Sequence, residues 1–235
     1  MSINELDQQE FERRFAVEYD GIGDFHLGLA VVDIDGKYGV INKKGKIVIP
    51  LIYDYISDFS DNLAVAYIED KGGFIDTKGK QIGSMIYDDI CGEFINGFVK
   101  VSINDKFGFV NKMGELVVQV IYDSAEDFTK VGMAKVCING KYGIINSAGE
   151  LIIQCIYDSV KDFIDRNQLI VCQGKKWGII NKEGDTVIDI KYDKIFGMNK
   201  DYIFVEINRV VERIDYSGKI LSYKELEVMH NRKSK

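Results

Sequence analysis

Apolar residues alternate with polar or variable ones over short stretches that recur along the chain. The dependable positions are Ala30, Val32 and Ile34, then Ala64, Ala66 and Ile68, then Val99, Val101 and Ile103, then Ala134, Val136 and Ile138. A period of two predicts a β-strand with one buried face. Each stretch ends in a pair such as Asp35-Gly36, Glu69-Asp70, Asn104-Asp105 or Asn139-Gly140. Asp-Gly and Asn-Gly suit a type I′ turn, whose two central residues both need positive φ, so a second strand is predicted to return antiparallel. It reads Lys37-Tyr38-Gly39-Val40-Ile41-Asn42, with counterparts beginning at Lys106-Phe107-Gly108, Lys141-Tyr142-Gly143 and Lys176-Trp177-Gly178. A two-residue loop sets Val32 opposite Gly39 and Ala30 opposite Ile41, so the two strands agree on the buried face.

Each second strand closes on Asn or Asp, two further residues and Gly, from Asn42 and Gly45 through to Asp215 and Gly218. This predicts a type I turn ended by a left-handed glycine. A third strand follows, residues 46–53 in the first copy, with an aliphatic column of Val48, Ile82, Val117, Ile152, Val187 and Leu221. It runs into the pair Tyr-Asp, which recurs at Tyr19-Asp20, Tyr53-Asp54, Tyr87-Asp88, Tyr122-Asp123, Tyr157-Asp158 and Tyr192-Asp193, at intervals of 34, 34, 35, 35 and 35 residues. Stretches such as residues 54–62 then lead to the next unit. Within them Asp24-Phe25, Asp58-Phe59, Glu93-Phe94, Asp127-Phe128 and Asp162-Phe163 keep a fixed offset after Tyr-Asp, apart from one extra residue before Glu93. The Phe is expected to plug the core between units and the acid to bond turn amides. Because Val40, Phe74, Phe109, Ile144 and Ile179 make the opposite face of the second strand apolar too, neighbouring units are the cover each sheet requires.

The expected architecture is all-β: six tandem repeats of about 35 residues, each a three-stranded antiparallel meander, in an open twisted β-array. The alternative is a six-bladed, propeller-like ring. In that case residues 15–18 would complete the last unit, whose own third strand, residues 219–228, is charged. The organisation expected is an N-terminal segment (1–18), one continuous domain of repeats (19–52, 53–86, 87–121, 122–156, 157–191 and 192–226) and a charged tail (227–235).

The succession of Lys-aromatic-Gly-aliphatic-Ile-Asn, Lys-x-Gly-Lys and an apolar strand running into Tyr-Asp resembles the bacterial WG-repeat family, also called KWG repeats. The resemblance spans residues 19–218. Lys176-Trp177-Gly178 carries the namesake Trp; Tyr38, Phe107 and Tyr142 substitute for it, Lys71-Gly72-Gly73 lacks the aromatic, and Val211-Glu212 replaces aromatic-Gly in the sixth unit. The resemblance implies tandem β-structure and no established chemistry. Copy number varies in the family, which fits an open array better than a ring.

Composition narrows the function. The chain has 235 residues, 46% of them hydrophobic, enough for a sizeable core. Thirty Lys and Arg stand against 37 Asp and Glu, a net charge of -7, which repels a phosphate backbone and disfavours nucleic acid as a partner. Met1 to Phe15 carries Glu5, Asp7, Glu10, Glu12, Arg13 and Arg14 in place of an apolar core, and no later stretch approaches 18 uninterrupted apolar residues, so neither export nor membrane insertion is expected. Four cysteines without a Cys-x-x-Cys pair, and only His26 and His230 beside them, point to free thiols in a reducing cytoplasm and to no zinc site. Cys155 shares a column with Leu51, Met85, Val120 and Ile190 and is expected to be a buried, unreactive hydrophobe.

No catalytic constellation emerges. Asp33-Ile34-Asp35-Gly36 lacks the later Gly and the final Glu of a calcium loop. Gly21-Ile22-Gly23 lacks a third Gly at His26 and the helix that a dinucleotide turn needs. The acids that recur do so in every unit, whereas a catalytic pair is built once per site. No cofactor or metal is expected. The stripe of Tyr38, Phe107, Tyr142 and Trp177 would suit sugar stacking but lies beside strand glycines, where rings cover backbone. Display is expected instead at columns that vary: the position after Tyr-Asp (Tyr55, Asp89, Ser124, Ser159, Lys194) and the outward first-strand position (Lys100, Lys135, Ile170, Phe204). From these, Tyr55, Lys100, Lys135 and Lys194 are the candidate binding residues. The function expected is a non-catalytic protein-interaction scaffold. The alternatives are a carbohydrate or cell-wall polymer binding module, and an inhibitor or immunity protein that masks a basic toxin.

Overall fold

The structure, a computed structural model, describes residues 18–164, 168–199 and 201–222. Residues 1–17 of the N-terminal segment and the charged tail therefore lie outside the described residues, as do residues 15–17 and 223–228 of the two strands considered for ring closure. The chain divides into two compact units, residues 1–121 and 122–235.

Every regular element among the described residues is a β-strand, and the strands form six successive antiparallel sheets. The first consists of β1 (Gly21–Ile22), β2 (Leu29–Ile34), β3 (Lys37–Asn42) and β4 (Ile47–Tyr53), hydrogen-bonded in chain order. Val32 pairs with Gly39 and Ala30 with Ile41. At each of the six hairpin turns both central residues have positive φ, as in Asp35 (51°) with Gly36 (73°) and Glu69 (51°) with Asp70 (61°), the conformation of a type I′ turn. The second turn also forms as expected. The Asn42 side-chain oxygen accepts the amides of Lys44 and Lys46 at 2.9 and 3.1 Å, and Gly45 follows at φ 76°; Gly149 (79°) and Gly184 (90°) repeat this geometry.

Two features differ from the sequence reading. Among the described residues five of the six sheets have four strands rather than three, because the chain leaving Tyr-Asp pairs along the free edge of the next hairpin. The edge strand can be as short as Tyr55–Ile56, paired with Tyr67 and Ala66, which is how four strands fit in about 35 residues. It satisfies backbone groups that would otherwise face the gap between sheets. The second difference concerns the strand glycine beside the aromatic. Tyr38 pairs with Tyr53 but Val40 with Ile49, so the third strand bulges opposite Gly39, and the chain's one proline, Pro50, sits exposed on that bulge. A Cβ on Gly39 would lie 2.8 Å from the Ile49 carbonyl oxygen, and one on Gly178 would lie 2.6 Å from that of Ile188. A carbonyl of the bulge, not an aromatic ring, fills the space a side chain would need.

Within each unit the sheets cover one another face to face. Val40, Ile49 and Tyr53 of the first sheet pack with Ile56, Phe59, Ala64, Ala66 and Ile75 of the second. Phe74 and Tyr87 of the second meet Ile90, Val99, Val101 and Val110 of the third. In the other unit Ile144, Ile153 and Tyr157 pack with Val160, Leu169, Val171 and Ile180, and Ile179, Ile188 and Tyr192 with Ile195, Ile203, Val205 and Ile214. The plug residues Phe59 and Phe128 are buried, whereas Phe25 and Phe94 are half-buried; the side chain of Phe163 lies outside the described residues. Cys155 is half-buried rather than fully buried, since its column lies on the bulged third strand. Burial and then the neighbouring Cys137 push its thiol up, away from the reactive thiolate.

Two glycine substitutions test this account by different physics. Gly149→Ala places a Cβ at positive φ and is expected to destabilise by about 1 kcal/mol. Gly178→Ala meets a backbone carbonyl and is expected to cost more, about 1 to 3 kcal/mol. Urea midpoints measured in parallel check the order, and an unchanged midpoint for Gly178→Ala contradicts the close approach.

Candidate functional site

The recurrent acid has a structural task. In each Tyr-Asp pair the aspartate accepts the backbone amide of the next hairpin turn: Asp54 from Glu69 at 2.8 Å, Asp88 from Asn104 at 2.6 Å, Asp158 from Gly174 at 2.7 Å and Asp193 from Asn208 at 2.7 Å. Its other oxygen binds the ammonium group that opens the second strand of the preceding sheet, in the pairs Lys37–Asp54, Lys71–Asp88, Lys141–Asp158 and Lys176–Asp193. The hairpin amides thus go to these aspartates rather than to the acids of the Asp-Phe pairs. In all four, the lysine first and the turn amide second hold the carboxyl below the usual carboxylate range. The tyrosine beside each is buried, and burial raises its hydroxyl. Carboxyls held low in this way are poor proton donors near neutral pH, and among the described residues no three His, Cys, Asp or Glu side chains gather as a metal site.

The four residues expected to display binding chemistry fall in different settings. Tyr55 lies on an edge strand, 46% exposed, with its ring 6.1 Å from that of Tyr38 and 6.2 Å from that of Tyr67. Lys194 is exposed on the edge strand of the sixth sheet and faces Glu206 at 3.4 Å. Lys100 and Lys135 are half-buried. Lys135 pairs with Glu126 at 2.5 Å, its side chain only 21% exposed, because this first-strand column faces the following sheet; its member Ile170 is fully buried. Tyr55 and Lys100 belong to one unit and Lys135 and Lys194 to the other.

One opening is not apparent from the repeat pattern. Between the second and third sheets, inside the first unit, a cleft of about 500 Å³ has Phe74, Val65 and Ile90 on its walls, with Phe94, Tyr55 and Tyr67 beside them. Asp58 and Glu93, both exposed, also line it. Its origin is the extra residue before Glu93. The edge strand Asp89–Ile95 shifts register against its neighbour, from Lys100 paired with Cys91 to Phe98 paired with Ile95, and Gly92 turns at φ 85°. Phe94 is consequently only half-buried, where Phe59 and Phe128 fill their gaps. Tyr67 closes one end, its hydroxyl accepting the Ile90 amide at 3.0 Å and lying 3.4 Å from Asp89.

Comparison with known proteins gives this frame a family. The WG containing repeat matches residues 15–38, 38–71, 73–107, 107–142, 142–177 and 177–209, nearly the full span of the sheets. The chain belongs to the WG-repeat family. No curated protein matches it in sequence. Among solved structures it is similar to Hsv2 of Kluyveromyces lactis (12% identity, 80% of this chain and 71% of that chain, TM-score 0.34) and Hsv2 of Kluyveromyces marxianus (10%, 80% and 69%, 0.36). It is likewise similar to an AfRom2 CNH domain (7%, 87% and 83%, 0.33). No helix among the described residues is long and apolar enough to cross a membrane.

The aspartate links give the WG repeats a defined acid response. A carboxyl whose folded pKa lies below its unfolded value of about 4 contributes stability above that value, and the contribution is lost as pH falls through the folded pKa. Melting temperature is therefore expected to be flat from pH 7 to about 5 and to drop below about 4. Asp158→Asn should melt lower than the parent at pH 7 and show a shallower acid drop. Parallel acid profiles for the variant and the parent would contradict the role given to the aspartates.

Proposed function

We propose that this WG-repeat chain is a non-catalytic protein-interaction scaffold that binds a protein partner, identity aside, through side chains that differ between repeats. One observation carries the reading: the polar groups that recur are used internally, as Asp54 is between Lys37 and a turn amide and Asn42 in its own turn, while Tyr55, Asp89, Ser124 and Lys194, in the varying column after Tyr-Asp, stand exposed on edge strands. Tyr55 and Lys194 are the displayed members of the candidate set, and Lys100 and Lys135 contribute from half-buried positions. A net charge of -7 favours partners with basic surfaces and disfavours nucleic acid. Four free cysteines favour the reducing cytoplasm, of a bacterium on the family's pattern. Masking of a basic toxin is a special case of this function. The cluster of Tyr38, Tyr55 and Tyr67 is the one feature that favours a carbohydrate or wall-polymer ligand instead.

Tyr55→Ala and Lys194→Glu are expected to weaken capture of a partner from the native cell at least several-fold, with stability within about 0.5 kcal/mol of the parent. Capture unchanged by both substitutions would remove these columns from the site. Retention on a polysaccharide column, lost in Tyr55→Ala, would favour the carbohydrate reading. Turnover of a substrate, abolished by one acid substitution at unchanged melting temperature, would overturn the scaffold.

A further inference from the structure

The cleft between the second and third sheets has a counterpart in the other unit, and their difference shows what the cleft lacks. Between the fourth and fifth sheets the equivalent gap is only about 40 Å³, with Glu126, Asp127, Lys135 and Lys161 on its walls. Counted from Tyr-Asp, Asp127 stands where Asp58 does and Lys161 where Cys91 does, while Lys135 takes the place of Val65 on the first strand. The pairings agree: Lys135 lies opposite Ile144 as Val65 lies opposite Phe74. There the chain fills the gap with its own cations. Lys135 binds Glu126, and the Lys161 ammonium lies 4.5 Å from the centre of the Trp177 ring.

In the first unit both lysines are absent, and Ser57 stands where the acid that binds Lys135 does, but two acids still line the cleft, Asp58 and Glu93. Among the described residues neither Asp58 nor Glu93 has an ion-pair partner. The floor is apolar, with Phe74 1% exposed. A cation already reaches one aromatic wall: Lys112 lies 5.9 Å from the centre of the Phe94 ring, but it is bound to Asp61.

We infer that this cleft receives a lysine or arginine side chain of a partner polypeptide, in the place that Lys135 and Lys161 occupy in the other unit. The aliphatic stem of the guest lies on Phe74 and Val65, and its cation meets Asp58 and Glu93 beside the face of Phe94. A volume of about 500 Å³ admits one such side chain together with an apolar neighbour. The inference rests on the scaffold reading and adds the chemistry of the residue recognised.

The probe is a fluorescein-labelled eight-residue peptide of leucine and arginine, titrated against the full chain by anisotropy, beside the same peptide with neutral citrulline for arginine. The arginine peptide is expected to bind at least tenfold more tightly than the citrulline peptide. The double variant Asp58→Asn, Glu93→Gln should weaken it about tenfold at unchanged melting temperature. Val65→Lys, which restores a lysine from within, should weaken it further. Glu183→Gln with Asp189→Asn changes net charge equally outside the cleft and should leave binding unchanged. Equal binding of the two peptides, equal weakening by the two double variants, or no binding of either peptide overturns the inference. Because Lys194 lies in the other unit, a partner still captured in a Lys194-dependent way would then show that the scaffold reading survives the loss of the cleft.

Discussion

An aspartate carboxylate shared between two hairpins is the interaction on which the repeat depends. Its two oxygens serve different sheets: one takes the lysine that opens the second strand of the sheet just completed, the other takes the turn amide of the sheet to come. The hairpin turn has both central residues at positive φ even where they are Glu69 and Asp70 or Asn208 and Arg209, a conformation that disfavours side chains. An anchored amide and a paired edge strand offset that strain. Because the aspartate follows a buried tyrosine, the polar link and the apolar contact are set by adjacent residues and keep the same spacing in each copy.

The second constraint is steric. The third strand carries more residues than its partner over the same length, and the excess bulges toward the second strand, where only glycine leaves room for its carbonyl. This accounts for the Gly of the family's Trp-Gly pair independently of the aromatic. Tyr38, Phe107 and Tyr142 replace the Trp, yet each is followed by glycine. In the sixth sheet, which has Val211-Glu212 there, the described residues of the third strand, up to 222, pair through a bridge between Ile214 and Ile220.

A frame fixed by links that use up its recurrent polar groups leaves function to departures from the pattern. The cleft of the first unit comes from one added residue, one glycine and the loss of two lysines relative to the equivalent gap in the second. An added residue in an edge strand shifts its register and withdraws the phenylalanine plug, because strand pairing is quantised in single residues while the gap between sheets is not. Recognition arises here by subtraction from a packed structure, and the acids beside the emptied gap become available to an external cation.

Period and chemistry in the sequence determined the repeat, the all-β class, the hairpin register and both turns, since each depends on residues within a few positions of one another: Val32 opposite Gly39 follows from a two-residue loop, and Gly45 from Asn42. The edge strand was not legible, because Tyr55-Ile56 is too short to show a period and pairs only once the next hairpin stands beside it. Lys135 reads as an outward residue in a strand of period two, yet that face looks onto the following sheet and the lysine ends paired with Glu126. The extra residue before Glu93 was visible in the alignment of units. That it opens a cleft, and that Asp58 and Glu93 face it without a cation, was decided by tertiary packing, because the distance between two sheets depends on every side chain that separates them and not on the local sequence of either.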